Sequence, residues 1–509
     1  MAYSACPGWR SRHEQITCGY QLITHTLAQQ LIRTKPVDTP QHDGQGRALQ
    51  RSIGLFSLTM IGVGATVGTG IFFTLAEAVP KAGPAVILSF LMAAITAGLT
   101  ALCYAELSFR IPATGSSYSY AYATLGEFTA FMVAGCLMLE YGLAGSATAI
   151  GWSAYLNNFL GNALGWQIPE MLRSPMIVSG ANGAEFHPGQ FNLPPMILVA
   201  LCGALLLRGA RESSTANAVM VIIKLAILGF FAVVAFTGFN TDNFTPFFNT
   251  DSNKGLGGMA GVTAAAGTVF FSFIGLDTVA TAGGESRNPQ RSVPLAILAA
   301  LLIVTVCYLL VALSAVGAQP AAAFHGQEAG LSVILQNVTG QKWPALVMSA
   351  GAVISVFSVT LVTIYGQTRI LYAVSHDGLL PAALGKLHPR THTPVANTLI
   401  VCLLVGLVAG FVDSGFLWDM VSMGTLVAFM VVSAAVPVMR YKRIGAASDG
   451  FRVPFGPYLV PALSIFACAW IIKDLSLMTY RVFFAWMAIA VITYFIYGRR
   501  NSRLGARAV

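Results

Sequence analysis

The sequence predicts an all-α, polytopic membrane protein: two inverted five-helix repeats with discontinuous first and sixth helices, plus two further helices. Three observations predict this. The 509 residues are 55% hydrophobic and only 10% charged, with a mean hydropathy of +0.69; a soluble globular chain carries about 25% charged residues. Twelve apolar stretches of spanning size follow one another. Two of them, five apart, are interrupted by residues that a bilayer disfavours.

A window of about 19 residues places the spans at 53–79, 84–108, 126–159, 193–209, 214–238, 257–283, 292–316, 343–373, 394–412, 416–440, 457–477 and 482–498. They divide the chain into an N-terminal tail (1–50), a ten-helix core (51–440, repeats 51–238 and 256–440), helices 11 and 12 (441–498) and a C-terminal tail (499–509). The first tail has no long apolar core and no clean cleavage site, so it reads as disordered and polar rather than as a signal peptide. Residues 1–30 look least like the rest and read as an extended start. With the N-terminus inside, 22 of the 29 basic residues face the cytoplasm and six face outward, with Lys224 inside a span. That asymmetry places both termini in the cytoplasm, at a plasma membrane. It also accounts for the net charge of +9 without nucleic acid as a partner; lipid is the partner to expect. Six of the eight cysteines fall in apolar stretches and behave as small hydrophobes, so neither a disulfide framework nor a metal cluster is expected, and no cofactor.

The first span carries Gly62, Gly64, Gly68 and Gly70 within Met60–Phe73. Each interior glycine costs roughly 1 kcal/mol of helix propensity. Backbone groups freed in hydrocarbon cost several kcal/mol each unless satisfied, so a helix broken here is expected to open onto a cavity that holds a solute. The sixth span is damaged likewise, with Ser272, Gly275 and Asp277 near its middle. The two are five spans apart, an odd number, so they enter from opposite sides. Two broken helices in opposite orientation are the signature of an inverted repeat with its site at the midplane. Packing alone, with Gly64 and Gly68 as a GxxxG pair, leaves the matching position in the sixth span unexplained.

Helix ends supply the chemistry. A restart near Thr69 aims the amides of about Thr66, Val67, Gly68, Thr69 and Gly70 at the gap, and amides at a helix start favour a carboxylate. The half-helix ends near Ile61–Gly64 (with Gly62) and Phe271–Ile274 (with Ser272), next to Gly275, offer carbonyls to an ammonium. An amino acid carries both groups on one carbon. Gly62-x-Gly64 lacks the third glycine and the βαβ context of a dinucleotide site.

Gly62–Phe73 resembles the first-helix glycine motif of the amino acid–polyamine–organocation superfamily. Tyr104–Leu107, Pro112–Tyr120, Leu139–Tyr141, Phe271–Asp277, Glu285–Pro294, Gly366–Arg369 and His376–Pro381 resemble, in order, motifs of its cationic amino acid transporter branch. The resemblance covers about residues 50–500 and is similar to the bacterial type. It implies a LeuT-type fold with helices 11 and 12 appended, and secondary active transport of cationic or neutral amino acids. The chain departs from the pattern at Thr66 and Thr69, where small or aliphatic residues are frequent, and at Glu285, a single acid followed by serine.

Lys224 lies ten residues into the fifth span, roughly 15 Å deep. A lysine there costs about 3 kcal/mol and is a candidate proton carrier; the resemblance points the same way, since proton-coupled relatives place a fifth-helix lysine where sodium-coupled ones hold sodium. The plain reading is a snorkelling anchor. Glu140 and Asp277 lie within spans and either face the cavity, bind a cationic side chain or bond to backbone; Glu140 is placed with the site, and Asp277 caps the amides beside the break. Glu106, Glu285 and Arg369 sit at cytoplasmic ends, as ordinary interfacial charges or as an inner gate of ion pairs. No metalloprotease, Walker or buried Ser–His pattern supports an enzyme. The remaining classes are a proton-coupled symporter, an exchanger without obligatory proton coupling, a channel and a non-transporting sensor.

Overall fold

The computed structural model describes residues 30–36, 53–68, 70–111, 116–180, 183–208, 214–249, 257–281, 286–327, 329–388, 393–445 and 451–506. Thr69 and Glu285, and most of the N-terminal tail, lie outside the described residues.

The first span is broken. Helix α1 (Leu55–Thr66) stops because Val67 turns extended (ψ 119°) and Gly68 follows at φ +108°, a value that a side chain strongly disfavours. Helix α2 (Thr74–Ala82) then ends at Gly83, and a tight turn through Pro84 leads into α3 (Val86–Arg110). A short helix, α4 (Ser116–Thr124), precedes the long α5 (Glu127–Leu164). A two-stranded antiparallel hairpin, β1 (Ile177–Gly180) and β2 (Gly183–Phe186), leads to α6 (Leu193–Leu207) and α7 (Ser214–Phe236).

The sixth span breaks in the same way. Helix α8 (Met259–Phe270) tightens into a turn at Phe271–Phe273; Ile274 is extended (ψ 143°), Gly275 follows at φ +104°, and α9 (Thr278–Thr281) resumes. An extended aliphatic residue followed at once by a positive-φ glycine thus ends both half-helices.

The rest of the chain comprises α10 (Pro289–Ala318), α11 (Gly330–Thr339), α12 (Lys342–His376), α13 (Val395–Phe411), α14 (Ser414–Tyr441), α15 (Leu459–Ile472) and α16 (Leu477–Thr493). Among the described residues, eight helical stretches are long and apolar enough to cross a membrane, and four more apolar helices are shorter: α1, α6, α13 and α15. For α1 the reason is the break itself, which leaves 12 residues where a full crossing takes about 20. The chain is therefore a mostly helical, multi-pass membrane protein.

Helices α12 and α14 pack along α5, and α10 packs along α3. The broken spans are interior: α1 lies against α7 and α10, and α2 against α8. Val63, Val67, Ile71 and Phe271 are fully buried, so the breaks sit in protein rather than lipid, as unpaired backbone at membrane depth requires. The described parts of both tails meet at one end. The Lys35 amide donates to the Tyr122 carbonyl, Lys35 Nζ pairs with Asp377 at 2.8 Å, and Arg499 Nε donates to Gln30 Oε1 at 2.7 Å.

Candidate functional site

The two breaks press against each other. A Cβ on Gly70 would lie 2.6 Å from Ser272 Cα, and one on Gly275 would lie 2.8 Å from the Ala65 carbonyl oxygen. Thr74 Oγ1 and Ser272 Oγ are 3.2 Å apart. Glycine is required here by close backbone approach.

The structure corrects the expected helix ends. Helix α1 runs through Thr66, so Ile61 and Gly62 lie inside its hydrogen-bonded ladder rather than at its end, and Gly62 O also accepts from Thr66 Oγ1. The carbonyls released at an α-helix end are at most its last four; here Val63 O still accepts from the Val67 amide at 2.7 Å, so release starts at Gly64. The restart is at Thr74, not Thr69: the Phe73 and Thr74 amides turn back onto the Gly70 carbonyl at 2.8 and 2.9 Å. That turn consumes residues which spacing alone assigned to the second half-helix, and it leaves Gly68 and Gly70 in the gap beside Val67.

Three released carbonyls have partners from other elements. Lys224 Nζ on α7, 1% exposed, donates to Gly64 O at 3.2 Å. Tyr308 OH on α10 sits 2.9 Å from Thr66 O and 3.0 Å from Ser272 O, bridging the ends of both half-helices. An aromatic group covers the other side: Trp418 meets Phe271 edge-on at 4.5 Å and stacks on Phe73, while Tyr155 donates to the Phe72 carbonyl. Sequence reasoning missed Tyr308 and Trp418. The available signal for Tyr308 was a hydroxyl inside an aliphatic span, which needs a partner when buried.

Asp277 and Glu140 are both buried. The Asp277 carboxylate accepts from Ser116 Oγ and Tyr141 OH, each at 3.1 Å. The expected gate partners separate. Glu106, fully buried, is held by Arg440 (2.6 and 2.5 Å), by Arg110 Nε at 3.5 Å and by the Val453 amide at 2.8 Å. Arg369 is exposed and lies over the ring of Tyr365 on its own helix, so it is not Glu106's partner. Removing one member of a buried pair costs about 3–5 kcal/mol. Glu106→Ala is therefore expected to lower the melting temperature in detergent by several degrees, with partial recovery in Glu106→Ala/Arg440→Met. An unchanged melting temperature in the single variant would show that the pair contributes nothing.

The profile of the amino acid permease family matches residues 53–503. A methylthioribose transporter of Bacillus subtilis is 40% identical over 475 residues, covering 93% of this chain and 99% of the relative. A branched-chain amino acid permease of the same organism is 38% identical, covering 90% and 95%. A vacuolar cationic amino acid transporter of Arabidopsis thaliana is 36% identical, covering 81% of this chain and 63% of that longer protein.

Proposed function

The chain belongs to the amino acid permease family, and from that premise we propose that it is a secondary active transporter that carries cationic or neutral L-amino acids by alternating access, coupled to protons. The single observation that carries this reading is the pair of matching breaks, Val67-Gly68 and Ile274-Gly275, packed against each other in the interior. It supports a LeuT-type arrangement of twelve spans, with repeats at 51–238 and 256–440, helices 11 and 12 at 441–498, and both tails cytoplasmic at the plasma membrane. Opposed half-helices at a repeat interface form the substrate and ion sites of such transporters.

The substrate's ammonium would compete for the carbonyls of Thr66 and Ser272 that Tyr308 now bridges, and its carboxylate would take amides around Gly68–Gly70. Phe271, Ile274, Gly275 and Val67 would wall the site. Lys224 would carry the proton, since its Nζ donates to the Gly64 carbonyl next to the first break. Glu106 and Arg440 would close the inner end.

Purified full-length protein in liposomes, assayed for counterflow of labelled amino acids, tests this. Saturable counterflow is expected. Flux without saturation would mean a channel, and binding without flux a sensor. Counterflow that ignores a pH gradient would mean an exchanger without obligatory proton coupling. A second reading rests on the methylthioribose transporter: counterflow of methylthioribose with none of any amino acid would establish it.

A further inference from the structure

A polar cavity lies at the end of α5 opposite the tails. Ser502, in the C-terminal tail, donates to Glu127, the first residue of α5. Asn157 stands 30 residues further along that helix, about 45 Å away at 1.5 Å per residue. There a cavity of about 200 Å³ opens between the last turns of α5, the loop that follows it and the start of α11. Its polar lining is Asn157 and Asn158 of α5 with Gln167 and Arg173 of the loop. Ala154, Ala329 and Val333 supply apolar walls. None of these residues belongs to α1, α2, α8 or α9, so the cavity is separate from the site between the breaks.

The protein already occupies the acceptor side of both asparagines. Asn158 Oδ1 accepts from Ser332 Oγ and Ser349 Oγ, each at 2.7 Å, and from Asn162 Nδ2 at 3.0 Å. Asn157 Oδ1 accepts from the Ile168 amide at 2.9 Å. These bonds set which way each carboxamide points, and what each has left to offer is its NH2 group. Among the described residues neither Nδ2 has an acceptor, and neither is sealed from solvent. Arg173 adds a guanidinium with five N–H donors, more than a single partner uses. No carboxylate lines the cavity. It therefore presents hydrogen-bond donors and one positive charge beside an apolar wall.

We propose that this cavity is a second binding site, for a small monocarboxylate with a short aliphatic tail. The carboxylate takes the Arg173 fork, whose planar donors match it two by two, and the free NH2 groups of Asn157 and Asn158. The tail lies on Ala154, Ala329 and Val333. Pockets for drug-sized ligands run from about 300 Å³ upward, so this one suits a tail of a few carbons. An ammonium finds no carboxylate here and meets the charge of Arg173, so an acid without an amine is the better ligand than an amino acid or an amine. Bound there, the acid ties the loop after α5 to the start of α11. The site does not depend on what the breaks carry.

The experiment is calorimetric titration of sodium 3-methylbutanoate into the purified full-length protein, beside 3-methylbutylamine as its cationic counterpart and sodium phosphate as a bare anion. The wild type is expected to show one saturable site per chain for the acid and none for the amine. Arg173→Gln is expected to weaken the acid by at least about tenfold, the effect of losing one hydrogen bond to a charged group. Gln167 is exposed, so Gln167→Asp keeps the test open should Arg173→Gln fail to fold; the added negative charge at the rim is expected to weaken the acid by about fivefold. Unchanged acid binding in Gly275→Ala would support a site away from the breaks. Absence of a saturable site in the wild type overturns the inference without any variant. An amine that binds as tightly as the acid, wild-type affinity in both cavity variants, or loss of acid binding in Gly275→Ala overturns it too. Phosphate that displaces the acid at equal concentration overturns the assignment to a monocarboxylate. Amino acid counterflow bears on the proposed function alone and leaves this inference where the titration puts it.

Discussion

Lys224→Met is expected to abolish accumulation of substrate driven by an acid-outside pH gradient while substrate binding survives. Lys224 is 1% exposed on α7, with Nζ 3.2 Å from the Gly64 carbonyl. That carbonyl lies four residues before Gly68, where α1 gives way. A charged lysine at membrane depth costs about 3 kcal/mol, a cost that its bond to the Gly64 carbonyl offsets in part. The contact changes with the proton: a charge-assisted hydrogen bond is roughly twice as strong as a neutral one. In the proposed mechanism, proton binding on α7 would tighten the end of α1 and proton release would loosen it. Since α1 carries half of the proposed substrate site, that one contact would couple the proton to the movement of the substrate. Methionine keeps the length and apolar stem of lysine and removes both the donor and the charge. In liposomes the gradient-driven uptake should fall by more than about tenfold, the amount that loss of one charge-assisted bond supplies, while counterflow at equal pH on both sides continues. Accumulation at the wild-type level would sink the coupling role and leave Lys224 a structural anchor.

The contrast between what was legible in the sequence and what was not follows from range. The breaks were legible because their cause is local: Gly68 and Gly275 are the residues that adopt positive φ, and each follows an aliphatic residue that has turned extended. All twelve expected stretches contain an apolar helix, because hydropathy over a 19-residue window is also local. The restart at Thr74 was not legible, since it depends on the Phe73 and Thr74 amides folding back onto Gly70 while Gly70 is pinned against Ser272. Partners were not legible at all. Glu106 announces a buried charge at a helix end, but Arg440 lies 334 residues away, and Arg369 looked equally suitable. Tyr308 bridges Thr66 and Ser272 from a third helix, and the sequence of that helix carries only the hydroxyl, not its target.

Gly275→Ala is expected to eliminate transport while the protein still folds and inserts. Two effects add at this position. The residue sits at φ +104°, outside the narrow left-handed region that side chains tolerate, at a cost of about 1–3 kcal/mol. The new Cβ would also stand 2.8 Å from the Ala65 carbonyl oxygen. A clash against a side chain relaxes by rotamer change; this one is against backbone, so the two half-helix ends must move apart. That displacement falls on the carbonyls of Thr66 and Ser272, which Tyr308 holds at 2.9 and 3.0 Å, and misplacing a site by about 1 Å can cost two orders of magnitude in rate. Gly340→Ala is the control. Gly340 also has positive φ (+63°), at the end of α11, but nothing lies within 4 Å of its Cβ. It lies inside the left-handed region that side chains tolerate, so alanine there meets less backbone strain than at Gly275 and no backbone collision, and it is far from the breaks in the chain. Uptake per folded molecule should therefore drop by about a hundredfold in Gly275→Ala and stay near wild type in Gly340→Ala, although both lose some thermal stability. Equal uptake in the two variants would show that the close approach of Gly275 to Ala65 is packing alone, and that the site does not depend on how the two half-helix ends meet.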